Sequence, residues 1–329
     1  MKIVLFGDYP SLQRERVINL LGHDYEVMAL TDDASNREVA SAFIDADVIV
    51  SNFFDATLPP APRCKLLQSP SAGIEKIDIS AVPDGAFLAV AVGHEIPMSE
   101  YVCCAMLDDA IGMSGMPQAF EDGKWSQKAW IKGPRHAELY GRTVGLLGYG
   151  GVGREIAVRA HALGMDVHAL SRWSSGIPDT SSGPLSMAWM TADWMNFLKR
   201  VDYLVVTVPL TDATVGMVGK AWFEAARSHM MLINVARGGV VDEESLFLAL
   251  KSRAIRKAVI DVWYNYPTSE NEFIYPSRFP FHELDNVIMT PHASGRTDGT
   301  FDRRWQSICE NIKRVRRGEI PRDIVNDRR

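Results

Sequence analysis

Three apolar runs in the second half of the chain each lead into a polar residue of a type that does chemistry. They are Asn234-Val235-Ala236-Arg237-Gly238-Gly239, Ala258-Val259-Ile260-Asp261-Val262-Trp263 and Thr290-Pro291-His292-Ala293-Ser294-Gly295. In an open α/β sheet, ligands bind beyond the carboxyl ends of the strands, so all three are site candidates by geometry. Arg237 sits at a glycine turn with open space around it. There its planar fork grips a carboxylate in bidentate fashion or forms an ordinary surface ion pair. Asp261 interrupts an apolar strand, and a buried carboxylate needs partners. It accepts a hydrogen bond from a ligand carboxamide or caps a neighbouring loop. His292 is the residue type best suited to proton exchange near neutral pH, or it is a packed turn histidine.

A glycine run, Gly148-Tyr149-Gly150-Gly151-Val152-Gly153, lies between an apolar strand candidate, Thr143–Leu147, and a helical pattern from Arg154 to Leu163. That context turns a G-x-G-x-x-G match into a dinucleotide-binding expectation. Gly148 permits the tight turn, Gly150 lets the backbone approach a pyrophosphate, and Gly153 lets helix and strand pack closely. The amides at the helix N-terminus, including those of Gly151 and Val152, face the phosphates.

Positioning these residues calls for two α/β series. Strands are expected at Lys2–Phe6, Tyr25–Leu30, Asp47–Ser51, Cys64–Gln68 and Ala86–Val92, with helices including Leu12–Leu21 and Arg37–Ala42. A long helix, Met98–Ile111, follows the entry marked by Gly93 and Pro97. The second series has strands at Thr143–Leu147, Asp166–Leu170, Tyr203–Val208, Met230–Val235, Ala258–Trp263 and Val287–Thr290, then a helix over Thr300–Arg317. Alternation of this kind implies parallel sheets covered by helices. The last helix returns to the first domain, which makes that domain discontinuous.

The length, 329 residues, suits two domains, and a net charge of -6 argues against a nucleic-acid partner. Cys64, Cys103, Cys104 and Cys309 show no metal-ligand spacing and read as free thiols of a reducing compartment, with no metal site. The N-terminal run is a short strand rather than a signal peptide, and no apolar run approaches the ~20 residues that cross a membrane. A cytoplasmic protein without a membrane partner is expected.

Taken together the segments resemble the D-isomer-specific 2-hydroxyacid dehydrogenases. The family shows an Arg-Gly turn, an Asp-Val strand end and a Thr-Pro-His turn in that order after a mid-chain glycine motif. Ser71-Ala72-Gly73-Ile74, Met98-Ser99-Glu100, Gly123-Lys124-Trp125, Glu138-Leu139-Tyr140-Gly141, Val208-Pro209-Leu210-Thr211 and Gly238-Gly239-Val240-Val241-Asp242 extend the match. The resemblance implies two doubly wound parallel-sheet domains with a cleft between them. One is a flavodoxin-like substrate domain, 1–97 with 296–329, and the other a Rossmann dinucleotide-binding domain, 98–295. It implies reduction of a small 2-oxoacid of the glyoxylate/hydroxypyruvate type to the D-2-hydroxyacid, and the reverse. Arg237 would bind the carboxylate and polarise the 2-oxo group, His292 would donate the proton, and the amides of Ser71, Ala72 and Gly73 would meet the carboxylate. Asp261 would hold the nicotinamide carboxamide, while Val208, Pro209, Val235, Ala236 and Ser294 would line the cofactor. Trp125 and Trp130 match a region that in the family packs across a homodimer interface, or are equally core or surface aromatics.

Two positions depart from the family pattern. Tyr266 stands where the family carries a glutamate, so His292 has a phenol rather than a carboxylate as the expected partner. An imidazole with an unperturbed pKa of ~6.5 is only about 10% charged at pH 7.5. Oxoacid reduction that depends on it is expected to fall above about pH 6.5, unless Glu270 or Glu272 folds back to supply the charge. The uncharged pairing also leaves open formate-like oxidation of a small anion, or a nucleotide-sensing scaffold. The second departure is Ser171-Arg172 at the end of the second nucleotide-domain strand, where NAD-specific sites place an acid. With Arg172 available to a 2′-phosphate, NADP is expected to be preferred and NAD remains usable.

Overall fold

The computed structural model describes residues 1–115, 123, 131, 135–173, 176–268 and 272–325. The chain divides into two compact units, Met1–Gly93 with Thr297–Arg329, and His94–Arg296. Each is built on a wholly parallel sheet with helices in the connections, as the α/β alternation requires.

The first unit has five strands, β1 (Lys2–Phe6), β2 (Glu26–Leu30), β3 (Val48–Ser51), β4 (Leu66–Gln68) and β5 (Phe87–Ala89), in the flavodoxin-like order β2-β1-β3-β4-β5. The helix Asn36–Phe43 starts where Ser35 and Glu38 cap each other's backbone amides. The last helix, Asp298–Arg316, packs with this unit. Trp305, Ile308 and Ile312 join Ile3, Leu5 and Val50 in one core. A buried pair fixes the return: Asn311 Nδ2 donates to Gln68 Oε1 at 2.9 Å, and Arg322 N donates to Asn311 Oδ1 at 2.8 Å.

The second unit has seven strands: β6 (Thr143–Leu147), β7 (Asp166–Ser171), β8 (Met187–Met190), β9 (Tyr203–Val206), β10 (Met231–Asn234), β11 (Lys257–Ile260) and β12 (Val287–Met289). Their order, β12-β11-β10-β9-β6-β7-β8, reverses direction at β6, the topological switch point. The sequence missed β8, a short half-exposed edge strand behind a Ser/Gly/Pro-rich loop. It also missed the helices Trp194–Leu198, Lys220–Ala225 and Glu243–Lys251.

Two boundary corrections bear on the site. The helix expected from Met98 begins at Glu95. Pro97 falls inside its first turn, where the missing N–H has no intrahelical acceptor to lose. The strands expected to run to Val208, Val235, Trp263 and Thr290 stop at Val206, Asn234, Ile260 and Met289. The residues beyond leave the sheet to form the turns that carry the polar side chains.

Candidate active site

At the end of β6 the chain turns at Gly148, whose φ of +102° suits glycine. A side chain there would also meet Thr207 Oγ1 at 2.9 Å, and that hydroxyl donates to the carbonyls of Leu147 and Gly148 at 3.1 Å each. Gly153 packs so closely that a Cβ would lie 2.6 Å from the Gly148 carbonyl oxygen. Gly150 differs, since nothing among the described residues lies within 4 Å of its missing Cβ. It is the N-cap of the helix Gly151–Ala162, with no side-chain cap of its own. The open space over Gly150 and the uncapped amides of Gly151 and Val152 fit a pyrophosphate. Sequence reasoning missed Glu95, whose Cγ lies 2.9 Å from where a Gly151 side chain would begin. Nothing in the local pattern points to it.

Beyond β7, Ser171 is half-buried and Arg172 exposed. The next residue, Trp173, has a positive φ of 48° and donates its indole N–H to the Trp189 carbonyl at 2.8 Å. Its ring meets Tyr149 of the glycine turn at 5.6 Å, and the Arg154 guanidinium lies 5.9 Å over the other ring. Tyr149 thereby ties the glycine turn to the end of β7, a contact the sequence did not reveal. Val208 is half-buried and Pro209 exposed just past β9.

Asp261 follows β11 and is fully buried. Its Oδ1 accepts from Thr290 Oγ1 at 2.6 Å and from Ala293 N at 2.8 Å, and its Oδ2 accepts from Ser294 N at 2.9 Å. Burial pushes the carboxyl pKa up, but hydrogen bonds from Ser294, Thr290 and Ala293 outweigh it and hold the group below its usual range. Tyr101 Oη lies 2.7 Å from Thr290 Oγ1 and extends the chain of hydroxyls. The carboxylate thus organises the Thr290–Ser294 turn. The Ser294 amide, expected to line a cofactor, is committed to it.

That turn presents His292, exposed and with φ at +54°, a left-handed conformation uncommon outside glycine. Tyr266 Oη lies 3.0 Å from His292 Nδ1, so the phenol does occupy the partner position. The Trp263 amide donates to the same Oη at 3.1 Å, and the Trp263 indole donates to the Thr290 carbonyl at 2.9 Å. The Glu272 carboxylate accepts from Thr268 N and Oγ1 at 2.5 and 2.7 Å. Glu270 lies outside the described residues, as do Trp125 and Trp130.

Arg237 stands at the head of the turn Gly238–Val240 and donates from Nη1 to the Ala236 carbonyl at 2.8 Å. Its shape is set by Asn234, which sequence reasoning passed over. That buried amide donates to Arg237 O and accepts from Ala236 N, both at 3.1 Å. Val235 and Ala236, expected beside a cofactor, are buried in the core. Gly238 explains how this turn meets the next one. A Cβ there would sit 2.3 Å from the Trp263 carbonyl oxygen, so only glycine allows the approach. Trp263, whose ring reads in sequence only as a packing aromatic, therefore touches both the Arg237 and the His292 turns.

Ser71, Ala72 and Gly73 lie in the first unit, in the loop after β4. Ser69 Oγ takes the Ser71 amide at 3.2 Å and donates to the Gly73 carbonyl at 3.1 Å. The Ser71 amide is therefore engaged within the loop. The amides of Ala72 and Gly73 have no acceptor among the described residues.

The profile of the D-isomer specific 2-hydroxyacid dehydrogenase family, NAD binding domain, matches residues 103–294. The chain belongs to this family. Among 2-hydroxyacid dehydrogenase relatives, it is 29% identical over 318 residues to D-3-phosphoglycerate dehydrogenase of Methanocaldococcus jannaschii, covering 95% of this chain and 57% of that one. This chain spans about half the length of the phosphoglycerate dehydrogenases it matches. It is 29% identical over 326 residues to glyoxylate reductase of Thermococcus onnurineus, covering 95% of this chain and 93% of that one. The crystal structure of the NADPH-dependent glyoxylate/hydroxypyruvate reductase of Sinorhizobium meliloti, in complex with NADP and sulfate, superposes with a TM-score of 0.76 at 23% identity, covering 99% and 98% of the two chains. At that identity the match speaks for the 2-hydroxyacid dehydrogenase fold. No helix among the described residues is long and apolar enough to cross a membrane.

Proposed function

We propose that this chain is an NAD(P)H-dependent reductase of small 2-oxoacids of the glyoxylate/hydroxypyruvate type, acting as a homodimer in the cytoplasm and preferring NADPH. The observation that carries the reading is the joining of the Arg237 and His292 turns on Trp263, in a unit whose glycine turn has space for a pyrophosphate. Glyoxylate reductases that match along nearly their whole length support it. So does Arg172, an exposed cation where NAD-specific sites carry an acid.

Gly150 and the amides of Gly151 and Val152 would hold the pyrophosphate of a reduced nicotinamide cofactor, which would supply the hydride to the substrate carbon. Arg237 holds the substrate carboxylate through its fork and draws electron density from the 2-oxo oxygen. His292 Nε2 faces that oxygen and delivers the proton that makes it a hydroxyl.

The test is a panel of glyoxylate, hydroxypyruvate, pyruvate and formate, together with D-3-phosphoglycerate in the oxidative direction, each run with the phosphorylated and unphosphorylated cofactors. The highest kcat/KM is expected for glyoxylate or hydroxypyruvate with NADPH. Turnover of formate or D-3-phosphoglycerate alone would overturn the substrate class, and an equal or better kcat/KM with NADH would overturn the cofactor preference. Light scattering at micromolar concentration reports the dimer.

A further inference from the structure

The chain leaves β7 through a strained residue. Ser171 is half-buried, Arg172 is exposed, and Trp173 then takes a φ of +48°. A left-handed conformation is an outlier for so bulky a residue, and it persists only where the surroundings over-determine it. Here the Trp173 side chain and carbonyl supply that hold. The indole Nε1–H donates to the Trp189 carbonyl of β8 at 2.8 Å, and the Trp173 carbonyl accepts from the Gly176 amide at 2.8 Å. The ring lies 5.6 Å from that of Tyr149, tilted by 52°, and packs on the core that includes Leu146, Ile156 and Ala169. The Arg154 guanidinium covers Tyr149 at 5.9 Å. One row of side chains thereby runs from the helix Gly151–Ala162, across the glycine turn, to the residue after Arg172.

Resting on the NADPH preference above, we propose that Trp173 is the positioning residue for recognition of the cofactor's 2′-phosphate, acting through Arg172. Its left-handed turn ends the extended path of β7, so Arg172 stays at the carboxyl end of the strand instead of being carried away along a loop. The indole bond to β8 fixes that turn. The Tyr149 contact sets its spacing from the glycine turn that would take the pyrophosphate. A flexible arginine loses side-chain freedom when it grips an anion, and a fixed backbone removes the further cost of ordering the segment that bears it.

The arrangement acts on one cofactor only. NADPH and NADH share adenine, pyrophosphate and nicotinamide, and they differ in a group that a guanidinium holds by charge and paired hydrogen bonds. A residue that places Arg172 therefore changes the affinity for NADPH and leaves that for NADH nearly as it was. A ring stacked on adenine would serve both cofactors alike, and so would a ring that supported only the glycine turn. That turn is braced independently, by the Thr207 hydroxyl on the Leu147 and Gly148 carbonyls. Glycine at 173 would accept the positive φ but supply neither the indole donor nor the ring, which separates the conformation from what locks it. Phenylalanine would keep a ring to face Tyr149 and lose the bond to Trp189.

The experiment titrates the wild-type protein, Trp173→Gly, Trp173→Phe and Arg172→Gln with NADPH and with NADH, following nicotinamide fluorescence. Trp173→Gly is expected to weaken NADPH binding about 10-fold and NADH binding less than about twofold. Trp173→Phe is the milder change and the one that carries the test if the glycine variant does not fold. It is expected to cost about threefold in affinity for NADPH alone. In an Arg172→Gln background, either Trp173 substitution should add nothing further to the loss of NADPH affinity, since a residue that acts through Arg172 has nothing left to place. Equal weakening of both cofactors, or losses that add in the double variant, overturn the positioning role. A wild type that binds NADH as tightly as NADPH overturns the cofactor preference and the proposal with it. A preference that survives both Trp173 substitutions overturns the proposal alone.

Discussion

Replacing Asp261 by asparagine tests whether this carboxylate organises the histidine turn or serves the cofactor. The side chain is fully buried, and its two oxygens take three donors, two on Oδ1 and one on Oδ2. Asparagine keeps one acceptor oxygen. With that oxygen toward Thr290 and Ala293, its NH2 faces the Ser294 amide across the present 2.9 Å contact, donor against donor. One charge-assisted hydrogen bond disappears and one buried N–H is left unsatisfied, which together cost about 3 kcal/mol. For a unit of about 200 residues that lowers the unfolding temperature by roughly 6–12 °C. The turn also holds His292 in a left-handed conformation that costs about 1 kcal/mol or more, so a released turn relaxes away from it. A displacement of about 1 Å at the reacting histidine is worth roughly 100-fold in kcat. Thermal unfolding and glyoxylate kinetics measured on one preparation give both numbers. Because hydrogen bonding holds the Asp261 pKa below its unfolded value, its contribution is present above pH ~3.9 and is lost as pH falls through the folded pKa. The stability gap between wild type and variant should therefore close in acid. An unchanged unfolding temperature with a weakened affinity for NADPH would refute the organising role and assign the carboxylate to the cofactor.

The glycine turn predicts a contrast between neighbouring substitutions. Gly150→Ala should leave the unfolding temperature unchanged, because none of the described residues lies near the new methyl, yet weaken NADPH binding about 10-fold or more in a fluorescence titration. Gly153→Ala should instead cost about 1–3 kcal/mol in urea unfolding, since its methyl meets the Gly148 carbonyl. Equal behaviour of the two would contradict the division of labour. His292→Gly removes the proton donor but suits the positive φ, so kcat should fall by about 10²–10⁴ while stability holds or rises by up to ~1 kcal/mol. A clear loss of stability would show that the ring is a packing element. Burial lowers the pKa of His168 on β7, with Asp166 opposing and Arg200 assisting, so the folded state favours its neutral form. Stability from this group is complete above pH ~6.5 and declines as pH falls toward the folded pKa. Urea midpoints at pH 7 and pH 5 should differ less in His168→Gln than in the wild type, and an unchanged difference would remove His168 as the cause.

Much of the architecture was legible because it rests on local pattern. The apolar runs and their turns located β1, β6, β7 and the strands that carry the site within a few residues, and β-α alternation alone required parallel sheets. The boundaries that failed did so where tertiary contacts set them. Past the strand ends, the side chains of Asn234, Asp261 and Thr290 bond across the turns rather than along the sheet.

At the site the sequence determined residue types and order: a glycine turn for a dinucleotide, then an arginine, an aspartate and a histidine at successive strand ends, with a tyrosine where a carboxylate was expected. Pattern specifies these because backbone conformation and strand periodicity depend on near neighbours. Only the tertiary structure decided what each residue meets. It turned Asp261 inward to hold a loop and joined the Arg237 and His292 turns through Gly238 and both N–H groups of Trp263. It also placed the Tyr266 hydroxyl between Trp263 and His292. Those outcomes depend on donors and acceptors brought together from β10, β11 and β12, and the direction of a hydrogen bond exists only once both partners are in place.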